Sequence, residues 1–249
     1  MPSATVQSTW DARIARAREL ASIRPAARDL LEFYAALAEY QRALAASARD
    51  AGTFDLDAVI RAIPAFLDWL RSAGRADLAD SVDVDGVASG FSRKAASGVE
   101  DPADLFVIES LLQAFAEQLE ASDAPASPSI PMRCPRCSAP PVAAVLREEG
   151  HGAKRSLLCA LCLHEWECLR IVCPACGEQE FDKLPVYTAE QFAHVRIDAC
   201  DRCHHYIKTI DLSKDGLAVP CVDDIASVSL DLWVRERGYT RLKPNVLGL

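Results

Sequence analysis

The first 133 residues of this 249-residue chain contain no cysteine, and the sequence has no long uninterrupted run of apolar residues. A membrane-spanning helix needs about 18–20 such residues, and the opening MPSATVQSTWDARIARAREL also lacks the apolar centre of a secretory signal. We therefore predict a cytoplasmic protein without a membrane segment. In that reducing compartment, ten cysteines favour metal binding or redox chemistry over a disulfide framework.

A basic excess is missing as well. Residues 1–125 carry 12 Lys and Arg against 20 Asp and Glu, and residues 126–249 carry 15 against 16. Nucleic-acid-binding proteins usually present a basic surface, so the charge argues against DNA or RNA as a partner. The sequence also lacks a P-loop, a dinucleotide-binding fingerprint and a Ser-His-Asp or Cys-His arrangement. Nothing in it predicts an enzyme.

Residues 1–125 predict a helical domain. Apolar residues recur at spacings of three and four in RPAARDLLEFYAALAEYQRALAASARD, in DLDAVIRAIPAFLDWLRSAG and in DPADLFVIESLLQAFAEQLEA. Pro64 predicts a kink or a boundary within the second segment, and Asp101 is the expected N-cap of the third. Small residues, serines and prolines at about 121–131 predict a linker.

Eight of the ten cysteines form four Cys-x-x-Cys pairs. A hairpin-like segment separates the first pair from the second, and another separates the third from the fourth. Two such pairs brought together by a hairpin complete a tetrahedral four-sulfur shell, as in zinc ribbons and rubredoxin-type iron centres. Interleaved pairing stays open, but it requires longer connections. We assign site 1 to Cys134, Cys137, Cys159 and Cys162, and site 2 to Cys173, Cys176, Cys200 and Cys203.

Other roles for these residue types are less favoured by the pattern. A thioredoxin-like dithiol is expected at a helix N-terminus in a βαβ unit, whereas proline-rich and strand-like sequence surrounds these pairs. Cys168 and Cys221 stand alone and are expected to be small buried apolar residues rather than a fifth ligand or a sensor thiol. His164 and His205 each follow a completed cysteine pair, so we expect neither to bind metal.

The C-terminal segment VDDIASVSLDLWVRERGY predicts a helix. We expect Asp223 or Asp224 to cap it while the other is solvated; a catalytic carboxylate pair is the alternative. The predicted fold is α+β, with an all-helical N-terminal domain, two tandem rubredoxin-like or zinc-ribbon-like β units and a C-terminal helix. The predicted domains are residues 1–125, residues 132–172 and residues 173–249.

Several stretches together resemble the FdhE family of formate dehydrogenase accessory proteins. They are the helical RPAARDLLEFYAALAEYQRALA, then CPRCSAPPV, LLCALCLHEWECLRIVCPACG, DACDRCHHYIKTIDL and, most distinctively, DDIASVSLDLWVRERGYTRLKPN. The resemblance runs in order from about residue 20 to the C-terminus. The chain departs from the family pattern at Ser138, where a glycine is usual, and in the less aromatic ending NVLGL.

The resemblance implies a cytoplasmic, non-enzymatic protein that binds the catalytic subunit of a respiratory formate dehydrogenase during its maturation, before export. It also implies two rubredoxin-like centres held by the eight assigned cysteines, and it favours iron over zinc. The alternatives are a rubredoxin-type electron carrier or redox-sensing metal protein, a thiol oxidoreductase, and a zinc-ribbon nucleic-acid-binding module, which the charge disfavours. The sequence does not decide between a monomer and a homodimer.

Overall fold

The computed structural model of the chain describes residues 4–50, 56–92, 101–116, 132–150 and 152–249. Within these ranges the N-terminal part is helical, and its helices are α1 (Ala4–Ile23), α2 (Arg28–Asp50), α3 (Leu56–Ser72), α4 (Ala76–Ser81), α5 (Val84–Ser92) and α6 (Pro102–Ala116). The strands are β1 (Pro141–Glu149), β2 (Gly152–Cys159), β3 (Glu165–Glu167), β4 (Val186–Thr188), β5 (Val195–Ala199), β6 (His205–Asp211) and β7 (Thr240–Arg241). Between β6 and β7 lie α7 (Pro220–Ala226) and α8 (Val228–Arg235). The α+β fold class is confirmed.

The helical part follows its sequence signals. The side chain of Asp101 accepts a hydrogen bond from the backbone N–H of Ala103 at 2.8 Å, as an N-cap does. Helix α3 continues through Pro64 without a break, since an internal proline removes only one backbone hydrogen bond. The linker predicted at about 121–131 and the last residues of the third predicted helix lie outside the described residues.

The strands form one sheet in which six follow the order β3-β2-β1-β6-β5-β4, and β7 pairs parallel with β6. Strands β1, β2 and β3 pair antiparallel, as do β4, β5 and β6. These two three-stranded units are the repeat that the cysteine spacing predicted. Parallel pairing of β1 with β6 joins them, a contact between distant segments that neither repeat encodes locally.

The two faces of the sheet differ in what covers them. On one face, Val195 and Ile197 of β5 pack with Leu230 and Val234 of α8. Because side chains alternate along a strand, the opposite face of β5 carries Arg196 and Asp198, which are half-exposed.

Helix α7 lies between the sheet and the N-terminal helices. Its residues Val222 and Ile225 belong to the same apolar core as Leu31 of α2 and Phe66 of α3. The C-terminal part of the chain is thereby attached to the N-terminal helices, while the three predicted domain boundaries remain a prediction. Among the described residues, no helix combines the length and the apolar character needed to span a membrane.

Candidate metal centres

Two groups of four cysteines converge in the structure. Within each group the sulfur atoms all lie within 4.8 Å of one another. Cluster 1 comprises Cys134, Cys137, Cys159 and Cys162, and cluster 2 comprises Cys173, Cys176, Cys200 and Cys203. The pairs therefore combine in sequence order and are not interleaved.

All four Cys-x-x-Cys turns share one backbone geometry. In each turn the N–H of the first cysteine donates to the carbonyl five residues later, at 2.8–3.0 Å. The residue after the second cysteine has a positive φ, and these four residues are Ser138 (61°), Leu163 (52°), Gly177 (76°) and His204 (56°). A positive φ strains residues other than glycine, so three of the four turns hold a strained residue in place.

The sulfur positions fit a tetrahedral metal ion. Four sulfurs bonded at about 2.3 Å to one ion lie about 3.8 Å apart. In cluster 1, Cys137 Sγ is 3.3 Å from Cys159 Sγ and 3.5 Å from Cys162 Sγ. In cluster 2, Cys173 Sγ lies 3.6 Å from Cys203 Sγ, and Cys176 Sγ lies 3.7 Å from Cys200 Sγ. Both shells could hold one ion of zinc or iron size.

The thiols of cluster 1 influence one another's ionisation. Hydrogen bonds from Cys137, Cys159 and Cys162 lower the pKa of Cys134. Side-chain hydrogen bonds with Cys134, Cys137 and Cys162, together with burial, raise the pKa of Cys159. Without a cation the four sulfurs cannot all ionise together, because like charges at this distance repel strongly. A divalent or trivalent metal supplies the missing positive charge.

Cluster 1 lies in an apolar environment. The side chains of Ala144, Leu157, Trp166 and Ile207 pack around its sulfurs. Cys134, Cys159 and Cys162 are each less than 5% exposed. Backbone N–H groups also point at the sulfurs, for example from Leu161 to Cys159 Sγ at 3.3 Å.

Cluster 2 is closer to the surface and to charged groups. Cys173 and Cys200 are buried, but Cys176 is exposed. Beside it, the buried carboxylate of Glu178 accepts hydrogen bonds from the backbone N–H groups of Gln179 and Glu180 at 2.9 and 3.0 Å. Those bonds, with Lys183 and Arg202 nearby, lower the pKa of Glu178.

The remaining cysteines and the two singled-out histidines lie outside both clusters. Cys168 packs against the apolar surroundings of cluster 1, and burial raises the pKa of its thiol. Cys221 lies between the helical core and the sheet core. The carbonyls of His164 and His205 accept the hydrogen bonds that close two of the cysteine turns.

Asp223 and Asp224 are not a cap and its solvated neighbour, and that expectation is wrong. Helix α7 begins at Pro220, so both aspartates fall inside it, and they are 1% and 0% exposed. The predicted single C-terminal helix is also divided at Ser227 into α7 and α8. Ion pairs with distant residues explain why the two carboxylates can be buried.

Asp224 and Asp231 face two buried cations. The ammonium group of Lys208 lies 3.1 Å from Asp224 Oδ1 and 2.6 Å from Asp231 Oδ2. Arg241 bridges the same two carboxylates at 2.5 and 3.1 Å. Asn245 donates to Asp224 at 2.8 Å. This buried charge network ties β6 and β7 to α7 and α8, and no local sequence pattern predicts it.

Asp223 makes a separate set of contacts. It accepts two hydrogen bonds from Arg16 of α1, at 3.1 and 2.7 Å, and its Oδ1 lies 2.8 Å from His194 Nε2. Arg16 also reaches Asp215 at 2.7 Å. His194, Asp215 and Asp223 lie close enough to hold a metal ion, but the Arg16 guanidinium already provides the counter-charge there.

Comparison with known proteins connects these features to one family. Residues 171–247, which contain cluster 2 and the buried charge network, match the family model described as the C-terminal domain of FdhE. A protein FdhE homolog of Aquifex aeolicus is 43% identical over 116 residues. These parts of the chain are similar to the FdhE family. That match spans 46% of this chain and 41% of the relative.

Further FdhE proteins extend the comparison. A protein FdhE homolog of Pseudomonas putida is 37% identical over 123 residues, which are 46% of this chain and 38% of the relative. These sequence matches thus span less than half the length of the curated relatives. The crystal structure of the FdhE protein from Pseudomonas aeruginosa covers 99% of this chain and 96% of its own, with a TM-score of 0.72 and 24% identity. The fold of the two proteins is the same.

Proposed function

We propose that this protein binds the catalytic subunit of a respiratory formate dehydrogenase during its maturation in the cytoplasm, before export. Similarity to the FdhE family carries the proposal, because that resemblance implies this partner. The protein acts by recognition, without catalysing a reaction of its own. Its role depends on a surface whose shape is kept by the two cysteine clusters.

In this proposal, the eight clustered cysteines hold two metal ions, one for each cluster. The convergence of the sulfurs and their need for a counter-charge support metal binding. Iron is favoured by the family resemblance, with zinc as the alternative, since four thiolates accept either ion. The metals stabilise the turns on which the sheet depends and so preserve the binding surface.

The test is to produce the whole chain anaerobically, measure its metal content and visible spectrum, and use it to capture a formate dehydrogenase catalytic subunit. We expect two metal ions per chain and retention of the subunit. Ferric centres would be red, whereas zinc centres would be colourless.

The Cys134→Ala/Cys137→Ala variant should lose one metal ion and the captured subunit. Cys168→Ala is the matched control, since Cys168 lies outside both clusters, and it should retain both. Unchanged metal content and unchanged capture in the double variant would contradict the proposal.

A rubredoxin-type electron carrier is the second candidate. The exposed thiol of Cys176 favours it, because an exposed ligand shortens the path for electrons between the metal and a partner. Reversible reduction of an iron centre in the purified protein would support this function. Zinc at both sites would exclude it.

A further inference from the structure

A cleft of about 460 Å³ lies on the sheet face that α7 and α8 leave uncovered. Its floor includes Arg155 of β2, Arg196 and Asp198 of β5, and Ile207 of β6. The chain between β3 and β4 forms its rim, including Cys173 of cluster 2. The volume falls within the range of about 300–1,000 Å³ typical of ligand pockets.

The cleft has a surplus of positive charge in a chain whose net charge is −9. Asp198 is shared by two guanidinium groups, from Arg155 at 3.2 Å and from Arg196 at 2.8 Å. It also accepts a hydrogen bond from Thr209 at 2.7 Å. Arg170 lines the same cleft and is exposed. Three guanidinium groups and one carboxylate therefore line the cleft, and a further carboxylate would be stabilised there.

The rim of the cleft is apolar and exposed. Phe181, Val186 and Ile171 are 72%, 50% and 46% exposed, and all three line the cleft. Neighbouring exposed apolar side chains mark surfaces that a partner covers. A small inorganic anion would leave this apolar rim in water.

Strand β4 supplies a backbone edge beside the cleft. It pairs with β5 on one side and stands at the end of the sheet order. An unpaired strand edge accepts backbone hydrogen bonds from an extended segment of another chain. The occupant that uses the cations, the apolar rim and the strand edge together is an extended polypeptide.

We propose that this cleft binds an extended polypeptide segment in which carboxylate side chains alternate with apolar ones. Alternation suits the site because successive side chains of an extended segment point to opposite sides, so the carboxylates can face the arginines while the apolar side chains cover the rim. The assignment of that segment to the catalytic subunit rests on the proposed function. The match between the cleft and an alternating acidic and apolar segment does not depend on the proposed function.

The first test uses a fluorescent peptide of alternating Leu and Glu, with its Leu and Lys counterpart, and measures anisotropy with the whole metal-loaded chain. We expect the Glu peptide to bind and the Lys peptide not to bind. Arg170→Glu and Phe181→Ser should each weaken binding about tenfold or more, the loss expected for a charge-assisted contact or a buried aromatic ring.

Matched controls are available on α8, away from the cleft. Arg235→Glu and Leu232→Ser change exposed residues of the same types and should leave peptide binding within about twofold, as expected for surface changes. Three results would overturn the proposal: equal binding of the two peptides, no binding of either peptide, or equal losses of binding in the control and cleft variants. Two results together would indicate a simple anion site and would also overturn the proposal. They are full displacement of the Glu peptide by millimolar inorganic phosphate, and equally strong binding of a Glu peptide that lacks the leucines.

The second test asks whether the Glu peptide releases a captured catalytic subunit. Release would place the subunit's contact at this cleft. If the wild-type chain captures the subunit and Arg170→Glu captures it equally well, the cleft assignment is wrong while the proposed function stands. If the peptide binds as expected and the subunit is not captured, the proposed function fails while the cleft's chemistry stands.

Discussion

Clusters 1 and 2 have the same cysteine spacing and turn geometry but different surroundings. Apolar side chains enclose cluster 1, and three of its four thiols are less than 5% exposed. Cluster 2 has the exposed Cys176 and a neighbouring charged carboxylate. The unit around cluster 2 is also stabilised by the buried network of Lys208 and Arg241. Both units have apolar cores, but the second also contains a buried network of ion pairs.

Removing each cluster in turn should produce the largest difference in thermal stability between the two units. A structural tetrathiolate metal site contributes about 10 kcal/mol or more in small domains, comparable with the whole stability of a typical protein. We expect Cys134→Ala/Cys137→Ala to cause the larger fall in the temperature of the thermal transition, because its remaining buried thiols lose their partners in an apolar environment. Cys173→Ala/Cys176→Ala should cause a smaller fall. Circular dichroism melts with metal analysis measure both, and equal losses would remove the distinction between the clusters.

Breaking the buried charge network should have the next largest effect. Lys208→Met leaves the Asp224 and Asp231 carboxylates short of one cation, which we expect to cost about 3–5 kcal/mol of the free energy of unfolding. Lys214→Met is the control, since Lys214 is exposed and should change stability by no more than about 0.5 kcal/mol. Urea denaturation of the metal-loaded chain measures both. A small effect at Lys208 would mean that the network does not stabilise the second unit.

The same network predicts the response to acid. Burial alone would raise the pKa of Asp224, but Arg241 and Lys208 hold it below its ordinary value. Stability from this carboxylate is therefore full above its unfolded pKa, near 4, and is lost as pH falls through the lower folded pKa. In denaturation series from pH 6 to pH 3, the wild-type chain should lose more stability than Lys208→Met, in which this pKa is less depressed. Parallel pH profiles would contradict this assignment.

The smallest expected effects come from the residue that ends each cysteine turn. Ser138→Gly in cluster 1 should stabilise the chain by about 1 kcal/mol, because glycine adopts a positive φ without strain. Gly177→Ala in cluster 2 should destabilise it by a similar amount. An added Cβ at Gly177 meets no atom within 4 Å, so its effect would come from the backbone alone. Denaturation midpoints of the two metal-loaded variants test this, and changes of the same sign would rule out φ strain as the cause.

The sequence was a good guide where structure depends on neighbouring residues. Apolar spacing of three and four predicted α2, α3 and α6, and the Cys-x-x-Cys pairs around hairpins predicted which sulfurs converge. A turn of two residues between cysteines and a hairpin between pairs restrict the geometry to few arrangements. The positive φ of the residues that end the turns was harder to predict, since only Gly177 of the four is a glycine.

The buried ion pairs could not be predicted because their members lie far apart in the sequence. Asp223 meets Arg16 across 207 positions, and Asp224 meets Arg241 across 17. Locally, two adjacent aspartates near a helix start resemble a cap and a solvated neighbour, since burial of a carboxylate depends on partners that local sequence does not reveal.

By itself, then, the sequence determined the helical first part, the duplicated cysteine turns and the membership of the two sulfur shells, all of which follow from short-range periodicity and spacing. Only the tertiary structure decided that β1 and β6 join the repeats into one sheet, that α7 packs against the N-terminal helices, and that one shell is enclosed while the other has one exposed cysteine. The physical reason is that these features depend on which surfaces meet, and burial and charge pairing select those contacts only when the whole chain is folded.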